Sequence, residues 1–497
     1  MGAADPTSAV IAVDCGTHAV RCLVFDVPSG EHTVCAQEDL PLSFPNPGWV
    51  EIDAESIVRA SASVLRRAAE WCAATGRTAL AIGLTNMRET AFAWQRCTGR
   101  PLYPGILWMS EQSAPKVEAW RAAGLDDLIR TRTGLSNHTF FFASKVAWLL
   151  DEHPSIRRLA DVGDLQVGTV DSWLLYRLSG GRSHATDVSN ASRYQLMDLR
   201  RRAWDPELAD ALGVPISCLP EIRASETAFG VTDPDLVGAA IPITGVIADQ
   251  QASLYGHGCE DRGELKITFG TSGVACLNTG EDAPLVDGLV TSVGWEDRTG
   301  RACYELEGSA FHSGFTLRWL SERFKDPVAW ASPMDRSPLL ASDRVYVLPA
   351  FTQMGAPRWP AGRGAAILGL GMDSTVRDMT RAGLEAMVFQ AHDLFVAMGG
   401  PQDAGGGEVA VDGGGAANDY LCQLLADLLG RTVVRPVLSE VTSIGAAKAA
   451  LGGVGLDVPR YFAQDRSRAT RFMPGDDRVY ALEGYARWVD LVETVLA

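Results

Sequence analysis

A short pattern near the start of the chain, Asp14-Cys15-Gly16-Thr17, returns in altered form as Phe269-Gly270-Thr271-Ser272. In each copy an apolar run, Val10 to Val13 and Leu265 to Phe269, ends at Gly-Thr, and a second run, Val20 to Phe25 and Val274 to Leu277, leaves it. That is how a tight hairpin reads, with glycine relieving the steric limit at the turn and baring backbone N–H groups. Such groups beside a threonine hydroxyl make an anion cradle. A single Gly-Thr is an ordinary turn, but two copies with carboxylates nearby favour phosphate binding. They predict two related domains facing one another.

A chain of 497 residues, 46% hydrophobic and 21% charged, is too long for one core and fits two large domains. Its formal charge of −17, with no basic block to offset it, argues against a nucleic-acid partner or an acidic membrane surface. An anionic ligand therefore needs local help from amides, a few Lys or Arg, or a metal ion. None of the ten cysteines forms a Cys-x-x-Cys pair, and Cys15, Cys22, Cys276 and Cys422 lie inside apolar runs. Reduced, buried thiols are expected, not a zinc site or a disulfide framework. The N-terminus has no basic region ahead of a long apolar core, and no apolar run approaches the ~18 residues of a membrane helix. A cytoplasmic address follows.

Apolar strand-like runs at Ala79–Leu84, Ile243–Ala248, Val345–Pro349 and Val409–Val411 alternate with helical stretches at Ala54–Thr75, Ser144–Glu152, Thr375–Met398 and Asp419–Leu429. This is an α/β pattern. The repeated hairpin puts the domain boundary just before Glu260–Gly263, giving an N-terminal domain over 1–257 and a C-terminal domain over 258–497.

Three segments place polar residues directly after a buried strand, where open α/β sheets collect ligands. Thr85-Asn86-Met87-Arg88-Glu89-Thr90 carries an adjacent Arg–Glu pair that can donate and accept at once and so suits a vicinal diol; alone, it would read as a surface ion pair. In Ala248-Asp249-Gln250-Gln251 a carboxylate at a strand end can take a proton from a substrate hydroxyl while Gln250 holds a neighbouring one, although Asp249 would also serve to cap the following helix. Asp412-Gly413-Gly414-Gly415 opens a helix, where glycines admit a flat ring or a phosphate to the positive helix end; a ligand-free tight connection is the competing reading. Neither Gly-x-x-x-x-Gly-Lys-[Ser/Thr] nor Gly-x-Gly-x-x-Gly occurs, so a bound nucleotide needs another architecture. Phosphoryl transfer joins these parts, with Asp14 on the metal side and Asp249 on the base side.

With these residues assembled, the chain resembles the FGGY carbohydrate kinases, above all those acting on glycerol. The similarity runs from about Ala9 to Gly455. It is carried by Asp14-Cys15-Gly16-Thr17 with Arg21, Thr85 to Thr90, Thr186-Asp187-Val188-Ser189-Asn190-Ala191-Ser192-Arg193, Asp249-Gln250-Gln251, Phe269-Gly270-Thr271, Glu307-Gly308-Ser309 and Asp412-Gly413-Gly414. The resemblance implies the α/β fold of the actin and hexokinase superfamily, with two ribonuclease-H-like domains flanking a cleft that binds ATP and Mg2+. It implies Asp249 as catalytic base and, with Asp14, as a metal-side carboxylate. Arg88, Glu89, Asp249 and Gln250 would hold the polyol hydroxyls, and Trp108 would supply an apolar wall. Thr17, Arg21, Thr271 and Gly314 fall on phosphate-side positions, Gly414 and Asn418 on adenine-side ones. A homo-oligomer, dimer or tetramer, is also implied.

Three positions depart from the family pattern. The glycerol-contacting tyrosine falls on Phe140, the aromatic residue after the second Gly-Thr is Val274, and a glutamine on the helix after Gly314 is Arg318. A wider, less polar pocket and a polyol longer than glycerol are the expectation. Two alternatives stand beside it: a ketopentose kinase of the xylulokinase type, which usually lacks Arg-Glu after the early strand, and a non-enzymatic actin-like nucleotide-binding protein.

Overall fold

The computed structural model describes residues 5–325, 334, 339–351, 354–359, 364–400, 407–437, 440–456 and 468–495. Local signals place most elements. Helix α1 (Ala54–Ala74) starts where the Asp53 side chain accepts the Glu55 N–H, and it buries a stripe that includes Ile57, Val58, Val64 and Leu65. The other major elements also follow the sequence pattern, with Asp419–Leu429 found as expected and the expected strand at Val345–Pro349 shortened to Tyr346–Leu348.

Two mixed sheets organise the molecule, and they share one topology. The first uses β1 (Ser8–Cys15), β2 (Ala19–Asp26), β3 (His32–Asp39), β4 (Thr78–Asn86), β5 (Gly230–Val231) and β6 (Pro242–Ala248), in the order β5-β6-β4-β1-β2-β3. The second uses β7 (Leu265–Phe269), β8 (Gly273–Gly280), β9 (Val290–Glu296), β10 (Ala302–Ala310), β11 (Val409–Asp412), β12 (Val433–Arg435) and β13 (Thr470–Phe472), in the order β9-β10-β8-β7-β11-β12-β13. In each, the Gly-Thr hairpin is antiparallel while its first strand runs parallel to a neighbour, β1 to β4 and β7 to β11. Both hairpins thus form as the pattern predicts. The reason given for their glycines does not hold: neither Gly16 nor Gly270 is among the residues of positive φ, and an added Cβ at either would meet only ordinary contacts.

Each sheet also has its own helices. Helices α2 (Val188–Ala191), α3 (Asp249–Gly256) and α4 (Ser313–Phe324) carry site residues, and α5 (Val376–Ala397) and α6 (Asp419–Leu429) close the core of the second sheet. Helix α7 (Val441–Gly453) comes from the far end of the chain yet lies on the first sheet. Its backbone sits so close that a Cβ on Gly83 would stand 2.0 Å from the Ala446 carbonyl oxygen, and one on Gly245 2.2 Å from the Ala450 nitrogen. Thr244 Oγ1 donates to the Ala450 carbonyl at 2.8 Å beside them. Small residues on both surfaces allow this approach, which no local periodicity announces. No helix among the described residues is long and apolar enough to cross a membrane. All ten cysteines are free, and Cys15, Cys22, Cys276 and Cys422 are buried as expected.

Candidate active site

The strand ends of the first sheet bring two carboxylates to one edge. Asp14 stands opposite Thr85 on β4, and Ala248 opposite Asn86 on the same strand, so Asp14 and Asp249 flank the end of β4. Burial, then the charge of Asp249, pushes Asp14 up to about 7 against the pull of Arg21. Burial also raises Asp249, opposed by Arg88, the Gln250 N–H and Lys266. The capping alternative for Asp249 is not what forms: α3 begins at Asp249 itself, Ala248 is the cap residue, and the backbone N–H that Asp249 Oδ1 accepts is that of the adjacent Gln250, at 2.7 Å. Nearby, Trp108 Nε1 donates to Thr17 Oγ1 at 3.2 Å, and its ring meets Phe140 edge-on at 5.4 Å.

Arg88 and Glu89 are neither a surface ion pair nor a self-contained clamp. Their side chains are 6% and 2% exposed, and they approach each other only to 3.7 Å. Arg88 instead forks onto Glu307 of β10, at 2.5 and 3.2 Å, and turns Nε to Asp249 Oδ1 at 3.3 Å. Glu89, in the left-handed region at φ 60°, accepts Arg193 Nε at 2.6 Å. Arg193 closes the ring on Glu307 at 3.1 Å, so two arginines and two glutamates join the sheets. A non-glycine residue persists at such a φ only where surrounding bonds impose it.

The segment leading to Arg193 is built to present it. Asp187 caps α2 by accepting from the Ser189 and Asn190 N–H groups, and Ser225 donates to it at 2.7 Å. Asn190 then receives the Asn86 amide at 3.0 Å, which fixes α2 to the end of β4 beside Arg88.

The second sheet turns an unusual face to this crevice. Leu265, Ile267, Phe269, Leu277 and Leu306 enter its apolar core. The alternate residues Lys266, Thr268, Cys276, Glu305, Glu307 and Asp412 share the opposite face by register. Val274 lies there too, paired with Thr268 and Ser309. Although burial opposes its charge, Arg193 and Arg88 hold Glu307 at about 2, whereas burial and Glu307 push Glu305 up to about 7. Cys276, Glu305 and Glu307 bring ligand atoms within 4.8 Å of one another, but Lys266 and the two arginines already supply positive charge there.

The positions assigned to nucleotide spread over several elements. Arg21 is held by Glu440, just before α7, at 2.6 and 2.7 Å. Gly314, in the first turn of α4, donates its N–H to the Gly270 carbonyl at 3.0 Å, and a Cβ there would stand 2.5 Å from that oxygen. Thr271 is exposed at the turn. Arg318, also exposed, lies over the Phe315 ring at 5.5 Å. Gly414 faces open space, while Asn418 Oδ1 accepts the Leu421 N–H at 3.1 Å and so caps α6. Lys266, Arg193, Glu307 and Glu440 escaped the sequence-based site. Lys266 alternates with the core residues Leu265, Ile267 and Phe269 and so reads as the ordinary polar face of a strand, while Arg193 and Glu307 stood in motifs that carry the resemblance without a role of their own.

Two sheets of one topology, with carboxylates and amides at their strand ends, define a two-domain kinase of the actin and hexokinase type. Residues 9–256 match the N-terminal domain, and residues 265–453 the C-terminal domain, of the FGGY family of carbohydrate kinases. The chain belongs to that family. A glycerol kinase from Rhodospirillum rubrum is 40% identical over 492 residues, covering 98% of each chain. The solved glycerol kinase of Plasmodium falciparum, with ADP, superposes with a TM-score of 0.89 at 28% identity, covering 99% of each chain. The fold is also that of the xylulose kinase from Lactobacillus acidophilus, with a TM-score of 0.84 at 18% identity over 99% of each chain.

Proposed function

We propose that this enzyme transfers the γ-phosphoryl group of ATP to a primary hydroxyl of glycerol or a somewhat longer polyol. The observation that carries the reading is the Asp249 carboxylate at the end of β6, bonded to Arg88 and adjoining the Gln250 amide. Asp249 accepts the hydroxyl proton as that oxygen attacks the γ-phosphorus, and ADP leaves. Arg88, Glu89 and Gln250 hold the remaining hydroxyls, with Trp108 and Phe140 as the apolar wall. The Thr17 and Thr271 turns lie to the phosphate side, and Gly414 to the adenine side. Asp14 and Asp249 are hard oxygen donors, and burial, then the charge of Asp249, raises the proton affinity of Asp14, so a divalent cation fits the donor set. Mg2+ held there would neutralise phosphate charge during transfer.

The relatives named glycerol kinase support glycerol, while Phe140 and Val274 support a longer acceptor. ADP release with ATP and glycerol, erythritol, threitol, ribitol, xylulose or gluconate decides between them. The reading expects turnover with glycerol or a four- to five-carbon polyol, whereas xylulose as the best acceptor would install the ketopentose reading. ADP release that no acceptor stimulates would overturn the polyol reading.

A further inference from the structure

Lys266 is wholly buried, sits on the crevice face of the second sheet, and reaches across to the first-sheet side. Its Nζ donates to Gln250 Oε1 at 2.5 Å and to Thr268 Oγ1 at 2.9 Å. An ammonium has only donors, so the carbonyl end of the Gln250 amide must be the end that meets it. The NH2 end is thereby turned away from Lys266. Arg88 makes the opposite crossing, from the first-sheet side to Glu307 on the second. The two cations thus reach in opposite directions and bracket Asp249 and Gln250.

We infer that Lys266 is a positioning residue, which fixes the Gln250 amide with its NH2 group directed at an acceptor hydroxyl oxygen while Asp249 takes the proton of the neighbouring hydroxyl. One diol then meets one donor and one acceptor in a set order. Without the ammonium, the amide is free to rotate by half a turn and present its carbonyl to the same oxygen. Glu305, Glu307 and Asp412 lie on the same sheet face and hold the charge that Lys266 balances. The inference rests on the polyol-site reading above.

A double-mutant cycle tests it, using Gln250→Leu, Lys266→Met and the pair, with ATP and the best acceptor from the polyol panel. Because Lys266→Met leaves neighbouring carboxylates uncompensated, the cycle is repeated in a Glu305→Gln background, and folding is checked by thermal unfolding. Each single change is expected to raise the acceptor KM about 10- to 100-fold, the scale of a lost hydrogen bond involving a charged group, with the ATP KM unchanged. The pair is expected to be no worse than the worse single change, since both remove one contact. Fully additive losses, or a Lys266→Met effect that falls on both KM values alike, would assign Lys266 a structural role and overturn the inference. If Gln250→Leu raises the acceptor KM while Lys266→Met does not, the inference fails and the polyol-site reading stands. If Gln250→Leu itself leaves the acceptor KM unchanged, both fail.

Discussion

At the end of β1 Asp14 faces Thr85 across the parallel pair; at the matching place in the second sheet Thr268 faces Asp412. Across the antiparallel pair the counterparts are Arg21 and Val274. The backbone repeats, but the carboxylate has moved one strand over and the arginine has become apolar. The consequences differ as well. Asp14 carries a raised proton affinity beside Asp249, whereas Asp412 accepts Ser253 at 2.7 Å and His257 at 3.0 Å, and although burial opposes its charge, His257 and then Lys266 hold it well below the usual carboxylate range. A duplicated topology therefore supplies equivalent strand ends, and side-chain pairing decides which of them keep chemistry in reserve and which are tied into the framework.

The sharpest way to break that comparison is to neutralise one carboxylate on each side. Asp249→Asn is expected to lower kcat by about 10²–10⁴, the range for a lost general base, with nucleotide affinity nearly intact. Asp412→Asn should instead cost stability, roughly 1–3 kcal/mol from broken buried hydrogen bonds, with a much smaller fall in kcat. Stopped-time ADP assays and urea melts on both variants decide; equal losses of kcat would erase the asymmetry.

A second contrast concerns buried acids outside the crevice. Near the first sheet, Asp171 is met by uncharged donors, among them Thr186 at 2.6 Å, and burial followed by the Asp187 charge pushes it up to about 7. In the second half, Glu385 is met by Arg344 at 2.6 Å and Asp393 by Arg358 at 2.8 Å. An acid raised in the folded state binds more protons folded than unfolded, where its value is about 3.9. Stability from Asp171 is thus greatest at low pH and declines as pH rises from about 4 to about 7, by about 4 kcal/mol in all. Asp171→Asn should flatten this decline. Urea unfolding at about pH 5 and about pH 8 measures it, and parallel slopes for variant and unaltered protein would remove Asp171 as the source.

The smallest expected effect sharpens the comparison at Val274 itself. Phe140→Tyr with Val274→Phe adds one hydroxyl beside Trp108 and an aromatic ring on the crevice face. Preference, as the ratio of kcat/KM for glycerol to that for erythritol, is expected to shift toward glycerol by about tenfold, since placement of the reacting hydroxyl governs rate. An unchanged ratio would show that these two side chains do not set acceptor length.

Much of the fold was legible because its causes are local. A continuous apolar run wrote β1 and an alternating one β7, and Asp53 and Asn418 marked the starts of α1 and α6 within one turn. Asp249 and Gln250 were legible for the same reason, as polar residues at the end of an apolar strand. The sequence by itself determined the two hairpins, the α/β alternation and the strand-end carboxylates, because each depends on residues a few positions apart. Only the tertiary structure decided the rest. Arg88 could be seen beside Glu89, but its forked partner, Glu307, stands 219 positions away. Helix α7 likewise settles on the first sheet through Gly83 and Gly245, with a closeness set by the small residues on both surfaces. Charge pairs and backbone approaches of this kind are chosen by packing and desolvation between distant segments, and those are properties of the folded chain in space, with no period along it.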